Sequence, residues 1–576
     1  MRRAGFGRIP LLLAALLAPL PCGAANDAGL DEDLRPAKGQ PAGGYAAYLA
    51  GRHAARIGDA DEAASRLDAA LRHGGGDERE VLAQAFLAAV MAGKPEAVDL
   101  ARRLPDDPVA RLVLADHEAK AGRWDAAEAR YAALPQQGIA QVLRPLTVAW
   151  AQLGAGRTDA ALATLRPLVE GQQFRGAYAL HAALVADLGG RPGEAARLYR
   201  VAQAEYGPPT LRLGQSLASW HARRGAMAEA QAVLRDTLRG GELAMVRAAL
   251  EAGVMERPVR SAADGIAEAY LAMANTLRGQ NATDLAQVVL RLALDLRPDF
   301  ASARLLMADL QDATRPDAAL ATLEAVPDAD PLAAMAGLRR AGLLAAMDRR
   351  DEAAALLERL AQTHPDRPEP LAQLGELQRR ADRFAEAAAT YTRALERVRE
   401  PDAAPWVLYY ERGIAFERSD RWDRAEADFK RALELSPDQP YVLNYLAYSW
   451  ADRGHNLVEA RRMLERAAVL RPDDGAIADS LGWVLYRQGE LDEAIRRLER
   501  AVELQPGDAT INAHLGDAYH AAGRVQEAVF QWQRALVLKP EPDEAARIEA
   551  KLQALPAAQT SSSASSSSSS APAPAR

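Results

Sequence analysis

Cysteine is almost absent from this chain, since Cys22 is its only one among 576 residues. An internal disulfide is therefore excluded, and no CxxC pair exists. Aromatic residues make up only 5%, as expected if helices pack through small residues. Lysine is scarce, with six residues against an arginine majority. No basic block or aromatic-studded basic stripe occurs, which argues against nucleic acid. The formal charge is −8, and without the arginines at 2, 3 and 8 it becomes about −11. The one long apolar run, residues 9–20, is too short to span a bilayer. It follows Arg2, Arg3 and Arg8 and precedes Gly23, Ala24 and Ala25. That order predicts a bacterial-type export signal over residues 1–25. Cys22 has two readings, a lipid-modified anchor or loss with the signal; Leu20-Pro21 before it is a poor lipoprotein-peptidase site.

What the chain does have is a period. Ala425, Ala460, Ala494 and Ala528 recur at 34 or 35 residues, as do Ala432, Ala467, Ala501 and Ala535. Pro437, Pro472, Pro506 and Pro540 keep the same register, and so do Gly454, Gly489 and Gly523. A period of about 34 is that of a stacked helix–turn–helix repeat. In the run from 475 to 506, Leu481, Val484 and Leu485 fall at helical spacing before Gly489 interrupts. Ile495, Leu498 and Val502 then form a second amphipathic stripe, ended by Pro506. Two helices of about 14 residues joined by a tight turn are expected. Gly413, Ala447, Gly482 and Gly516 share one position inside the first helix. Glycine there costs about 1 kcal/mol relative to alanine, so close helix contact is the expected reason.

These residues resemble the tetratricopeptide repeat (TPR) family. Leu515-Gly516, Tyr519, Gly523, Ala528, Trp532, Ala535 and Pro540 follow its pattern. Arg412-Gly413, Phe416, Ala425, Phe429, Ala432 and Pro437 do so too, with Asp420 in place of the turn glycine. One residue is extra between Gly454 and Ala460, most simply at His455-Asn456. Upstream the skeleton recurs in eroded form, for roughly 13 or 14 units in all. The expected fold is all-α, a right-handed superhelical solenoid of helix–turn–helix repeats. The expected organisation is an export signal (1–25), a linker (26–43), a degenerate repeat block (44–239) and an irregular joint (240–265). A central repeat block (266–397), a second joint (398–405), a regular block (406–553) and a Ser/Ala/Pro-rich disordered tail (554–576) complete it.

No arrangement for catalysis emerges. His514 and His520 are six apart, unlike the i, i+4 pair of a zinc helix, and read as surface or groove histidines. Ser480 lacks the glycine two residues earlier that a nucleophile elbow needs. No cofactor or metal is expected. The resemblance implies that first helices line a partner groove. The candidates carried over by register are Tyr410, Asn444, Tyr448, Asp452, Asp479, Trp483, Tyr486, Arg487, Asp517 and His520. Tyr448 and Trp483 have a second reading, as partial fillers of the core between repeats. The lysine–asparagine clamp for a terminal carboxylate, found in some members, is absent. The stretches at 451–467 and 479–494 and around 514–524 are similar to exported proteobacterial TPR proteins. Among these are lipoprotein adaptors of a periplasmic carboxy-terminal processing protease. The resemblance implies a non-catalytic envelope scaffold or adaptor binding proteins or peptides, with that protease and its cell-wall hydrolase substrates as implied partners. Membrane attachment would follow only from lipidation of Cys22. The alternative is an envelope-assembly or polysaccharide-export scaffold that binds polymer or an enzyme complex.

Overall fold

The computed structural model describes residues 43–74, 77–207, 210–238, 241–398 and 405–555. The expected export signal (1–25), Cys22 and residues 556–576 of the expected tail lie outside them. The described residues form thirty-one helices and no strand, divided between two compact units that part after His364. Fourteen antiparallel helix pairs account for nearly all of them. No helix among the described residues is long and apolar enough to cross a membrane.

The repeat unit takes the form its sequence predicts. The run from 475 folds as helices Gly475–Gln488 and Leu491–Leu504, each of 14 residues. Asp474 caps the first, its carboxylate accepting from the backbone N–H groups of Ala476 and Ile477. Gly489 closes it in the left-handed conformation at φ 83°. Asp420 takes that place two units earlier, at φ 59°. Aspartate tolerates this region better than most residues. The inserted residue of the next unit produces two left-handed positions, Gly454 and Asn456.

The small residue inside the first helix has a specific cause. A Cβ on Gly482 would lie 2.6 Å from Leu498 Cγ, and one on Gly516 would lie 2.5 Å from the Trp532 indole. Gly413 meets Phe429, Gly375 meets Tyr391 and Gly51 meets Leu67 in the same way. Each partner stands 16 residues later on the second helix. The close contact is thus between a bare backbone and a large side chain, while Ala494 and Ala501 are fully buried beside it.

The first unit holds nine helix pairs within residues 44–363, with two short helices, Gly241–Met245 and Arg247–Ala252, after the sixth. Its distinctive element is the 18-residue helix Ala262–Gly279, started by a capping box at Ser261 and Asp264. This helix packs on Ile139–Gly154 and Arg175–Leu188, two first helices that also touch each other. Twelve of its 18 residues are buried, between these two helices and its pair partner Thr283–Leu296. Gly265 lies so close to Trp150 that a Cβ would stand 2.2 Å from the indole ring. Trp150 Nε1 in turn donates to His181 Nδ1 at 3.1 Å. Burial pushes the His181 imidazole down to about 4, which keeps it the neutral acceptor this bond requires. Further along, Tyr270 Oη donates to Asp116 at 2.8 and 3.0 Å, and Tyr131 Oη donates to the same carboxylate. The inner face of these N-terminal repeats is therefore covered by the chain's own helix.

Asp116 is 2% exposed, and burial pushes its carboxyl up to about 7 against the two tyrosine hydrogen bonds. The unfolded chain releases this proton near 3.9. Stability from the group is thus complete below about pH 4 and declines as pH rises to about 7, then levels off. The difference in unfolding free energy between wild type and Asp116→Asn should follow that profile in urea titrations between pH 4.5 and 8. A pH-independent difference would rule out this role.

Candidate functional site

The second unit runs from Pro365 and holds five helix pairs and a final helix, Pro542–Gln553. Its first helices are Glu369–Arg380, Trp406–Glu417, Pro440–Arg453, Gly475–Gln488 and Ala509–Ala521. Successive first helices pack on one another, most closely Pro440–Arg453 on Gly475–Gln488, whereas second helices meet chiefly the first helices beside them. First helices therefore form the inner side of this stack. The final helix continues the row. Its Glu544 accepts from Thr510 Oγ1, and its Lys551 Nζ donates to both Asp517 oxygens at 2.7 Å, each pair 34 residues apart.

Four candidates, Tyr448, Asp479, Trp483 and Tyr486, converge around His514, which the sequence reads as a surface or groove histidine. His514 is 7% exposed, so it is neither a surface histidine nor an open groove residue. Its Nδ1 lies 3.0 Å from both oxygens of Asp479, itself 5% exposed. Burial would push the imidazole down, but the charge and hydrogen bond of Asp479 outweigh it and hold it above its ordinary value. Trp483 stacks on His514 at 4.1 Å between centroids and on Tyr486 at 4.9 Å. Tyr448 approaches His514 at 6.2 Å from the first helix two repeats earlier. Asp479 and His514 are 35 residues apart, so the pair bridges neighbouring repeats and leaves no signature within one helix.

Two polar atoms in this neighbourhood are left over. Trp483 Nε1 and Asn444 Oδ1 are buried and have no hydrogen-bond partner. Leaving such groups unpaired costs roughly 1–3 kcal/mol each. The side chains that carry them are only partly buried, as are those of Tyr448 and Tyr486. Trp483 and Tyr448 thus do both things open to them, filling the seam between repeats and presenting an edge to solvent. Arg487 Nη1 donates to the Asp452 carbonyl at 2.7 Å, while the Asp452 side chain is exposed. Burial pushes the Tyr448 hydroxyl well above the tyrosine range, and Asp452, Asp479 and Glu544 add to this against Arg547. The surroundings of Tyr448 are therefore negative.

Of the remaining candidates, Asp517 borders that cluster, its charge acting on His514 and Tyr486, whereas Tyr410 lies apart from it. Tyr410 packs against Phe429 and Tyr445, with burial pushing its hydroxyl up to about 12. Asp517 accepts from Trp532 Nε1 and Lys551, and the exposed His520 packs beside Trp532. Ile414, Ala451 and Ala513, on the same first helices, are buried. No group of three or more His, Cys, Asp or Glu among the described residues is placed to hold a metal ion.

Tetratricopeptide repeat family models match residues 335–367, 371–404, 406–439 and 480–546. Over 156 residues the chain is 32% identical to TPR repeat-containing protein PA4667 of Pseudomonas aeruginosa, a match covering 27% of this chain and 26% of that protein. Human tetratricopeptide repeat protein 13 is 33% identical over 98 residues, 17% of this chain and 11% of that protein. The chain thus spans about a quarter or less of the curated relatives it matches. Among solved structures, the APC/C hetero-tetramer Cut9-Hcn1 aligns over 88% of this chain and 95% of its own, at 14% identity and a TM-score of 0.38. YrrB, described as a TPR protein with an unusual peptide-binding site, aligns over 34% of this chain and 97% of its own, at 21% identity and a TM-score of 0.27. Such repeats generally mediate protein–protein interaction and are typically non-catalytic. By these matches, the chain carries tetratricopeptide repeats across most of residues 335–546.

Proposed function

We propose that the inner face of residues 405–555 binds an extended segment of a partner protein, anchored at Tyr448, Trp483 and Tyr486. The observation that carries this reading is the row of half-buried aromatic side chains, Tyr448, Trp483 and Tyr486, grouped around His514 on successive first helices. Rigid aromatic anchors of this kind dominate binding energy at many interfaces. The negative surroundings of Tyr448 favour a segment with an apolar side chain flanked by a cationic one. With the export signal expected at residues 1–25, this scaffold would work in the bacterial envelope, held to a membrane if Cys22 is lipidated. The stretches shared with lipoprotein adaptors make a periplasmic processing protease and its cell-wall hydrolase substrates the partners to test first.

The test is capture of envelope proteins by crosslinking, comparing wild type with the Tyr448/Trp483/Tyr486 triple alanine variant. Matched circular dichroism would establish that the variant folds. The variant should recover at least about tenfold less of the specific partners, as expected when hot-spot residues are lost. Equal recovery by the two proteins would show the groove reading to be wrong. Joint recovery of a protease and peptidoglycan hydrolases would support the adaptor role; glycan binding without protein would favour the polymer-binding alternative.

A further inference from the structure

The first unit contains a cleft of about 420 Å³ where helix Thr283–Leu296 crosses Glu78–Ala92 and Pro108–Lys120. Its walls combine apolar side chains, among them Val90 and Val113, with four cations and two carboxylates. Three of the cations are accounted for: Lys94 pairs with Asp61, Arg102 with Asp99, and Lys120 with Asp295. Arg291 is the exception. No carboxylate among the described residues pairs with it, and its Nε is buried without a hydrogen-bond partner. Its guanidinium lies against Gly93, where a Cβ would stand 1.7 Å from Nη2. Gly93 ends helix Glu78–Ala92 in the left-handed conformation, so the absence of a side chain there makes the seat for the guanidinium. Nearby Arg304 donates to the Pro298 carbonyl and has no carboxylate within ion-pair distance; burial and then Arg291 hold its pKa down, with Asp299 acting the other way. Positive charge is thus gathered at one spot and incompletely neutralised.

The C-terminal dipole of helix Glu78–Ala92 offsets part of this cost. It supplies no acceptor for the buried Nε. A guanidinium with free donors in an apolar-walled cleft is suited to an oxyanion, which it can hold through two parallel hydrogen bonds. We propose that this cleft binds a phosphate or carboxylate group, with Arg291 as the principal ligand and Arg102 and Lys120 at its rim. This site lies in the first unit and is independent of the peptide groove proposed for the second.

Calorimetric titration of the full chain tests it with inorganic phosphate, N-acetyl-dialanine as the free acid, and the same peptide as its amide. At least one oxyanion should bind and the amide should not; the comparison of phosphate with free acid identifies the chemical source. Arg291→Ala should weaken binding at least about tenfold, as loss of one charge-assisted pair would. Because Arg291 also packs on Gly93, Arg102→Gln and Lys120→Gln provide variants at half-exposed positions. Each should weaken binding severalfold with the melting temperature unchanged, and raised salt should weaken it further. Absence of binding by both oxyanions, or equal binding by wild type and all three variants, would overturn the proposal.

Discussion

Trp532→Ala is expected to cost about 3–5 kcal/mol, the range for removing a large buried aromatic. Trp532 is 1% exposed and is among the largest fully buried side chains of the protein. Its indole covers the bare backbone of Gly516, and its Nε1 donates to Asp517 Oδ1 at 2.9 Å. The same carboxylate receives Lys551 from the final helix, whose one buried residue, Ile548, joins the Trp532 cluster. Removing the indole therefore opens a cavity and loosens the helix that ends the stack. The loss should appear in urea denaturation, and hydrogen exchange should place it in residues 509–553. Trp532→Phe, which keeps most of the packing and loses the hydrogen bond, should cost about half as much. A loss under about 1 kcal/mol for the alanine variant would mean that the stack does not depend on this contact.

Gly265→Ala should be nearly as damaging, although it adds a single methyl group. That methyl would lie 2.2–2.3 Å from three atoms of the Trp150 ring. Trp150 cannot easily yield, because it is fully buried and hydrogen-bonded to His181. Overpacking of this kind usually costs about 1–3 kcal/mol, and more where neighbours are locked. The backbone of helix Ala262–Gly279 would have to lift from the inner face of the N-terminal repeats. Amide exchange across residues 262–279 should therefore accelerate more than that of helix Pro192–Tyr206. Gly→Ala propensity alone predicts the opposite sign, since alanine favours helix by about 1 kcal/mol. A stabilised variant would exclude the close packing of this helix on Trp150.

The same two contacts show how much of the fold is legible in the residues. Gly516 and Trp532 belong to one repeat, and their 16-residue separation recurs at 375 and 391, 413 and 429, and 482 and 498. A pattern repeated that often reveals the packing of two helices without any tertiary information. Gly265 and Trp150 are 115 residues apart in an eroded region, and no second copy of their contact exists to betray it. The candidate site divides along the same line. Tyr448, Trp483 and Tyr486 could be placed on inner helices by register. His514 could not be recognised as their centre, because a histidine six residues from another reads as isolated until the Asp479 helix is laid beside it.

The sequence by itself determined the helix pairs, the tight turns and the inner row of first helices. A repeat packs on its immediate neighbours, so local spacing contains nearly all the information this level requires. Tertiary structure alone decided which inner faces stay open. Helix Ala262–Gly279 covers the N-terminal repeats through contacts such as Tyr270 with Asp116, 154 residues away. Those contacts depend on how the stack curves, and curvature sums small rotations over many repeats rather than residing in any one of them.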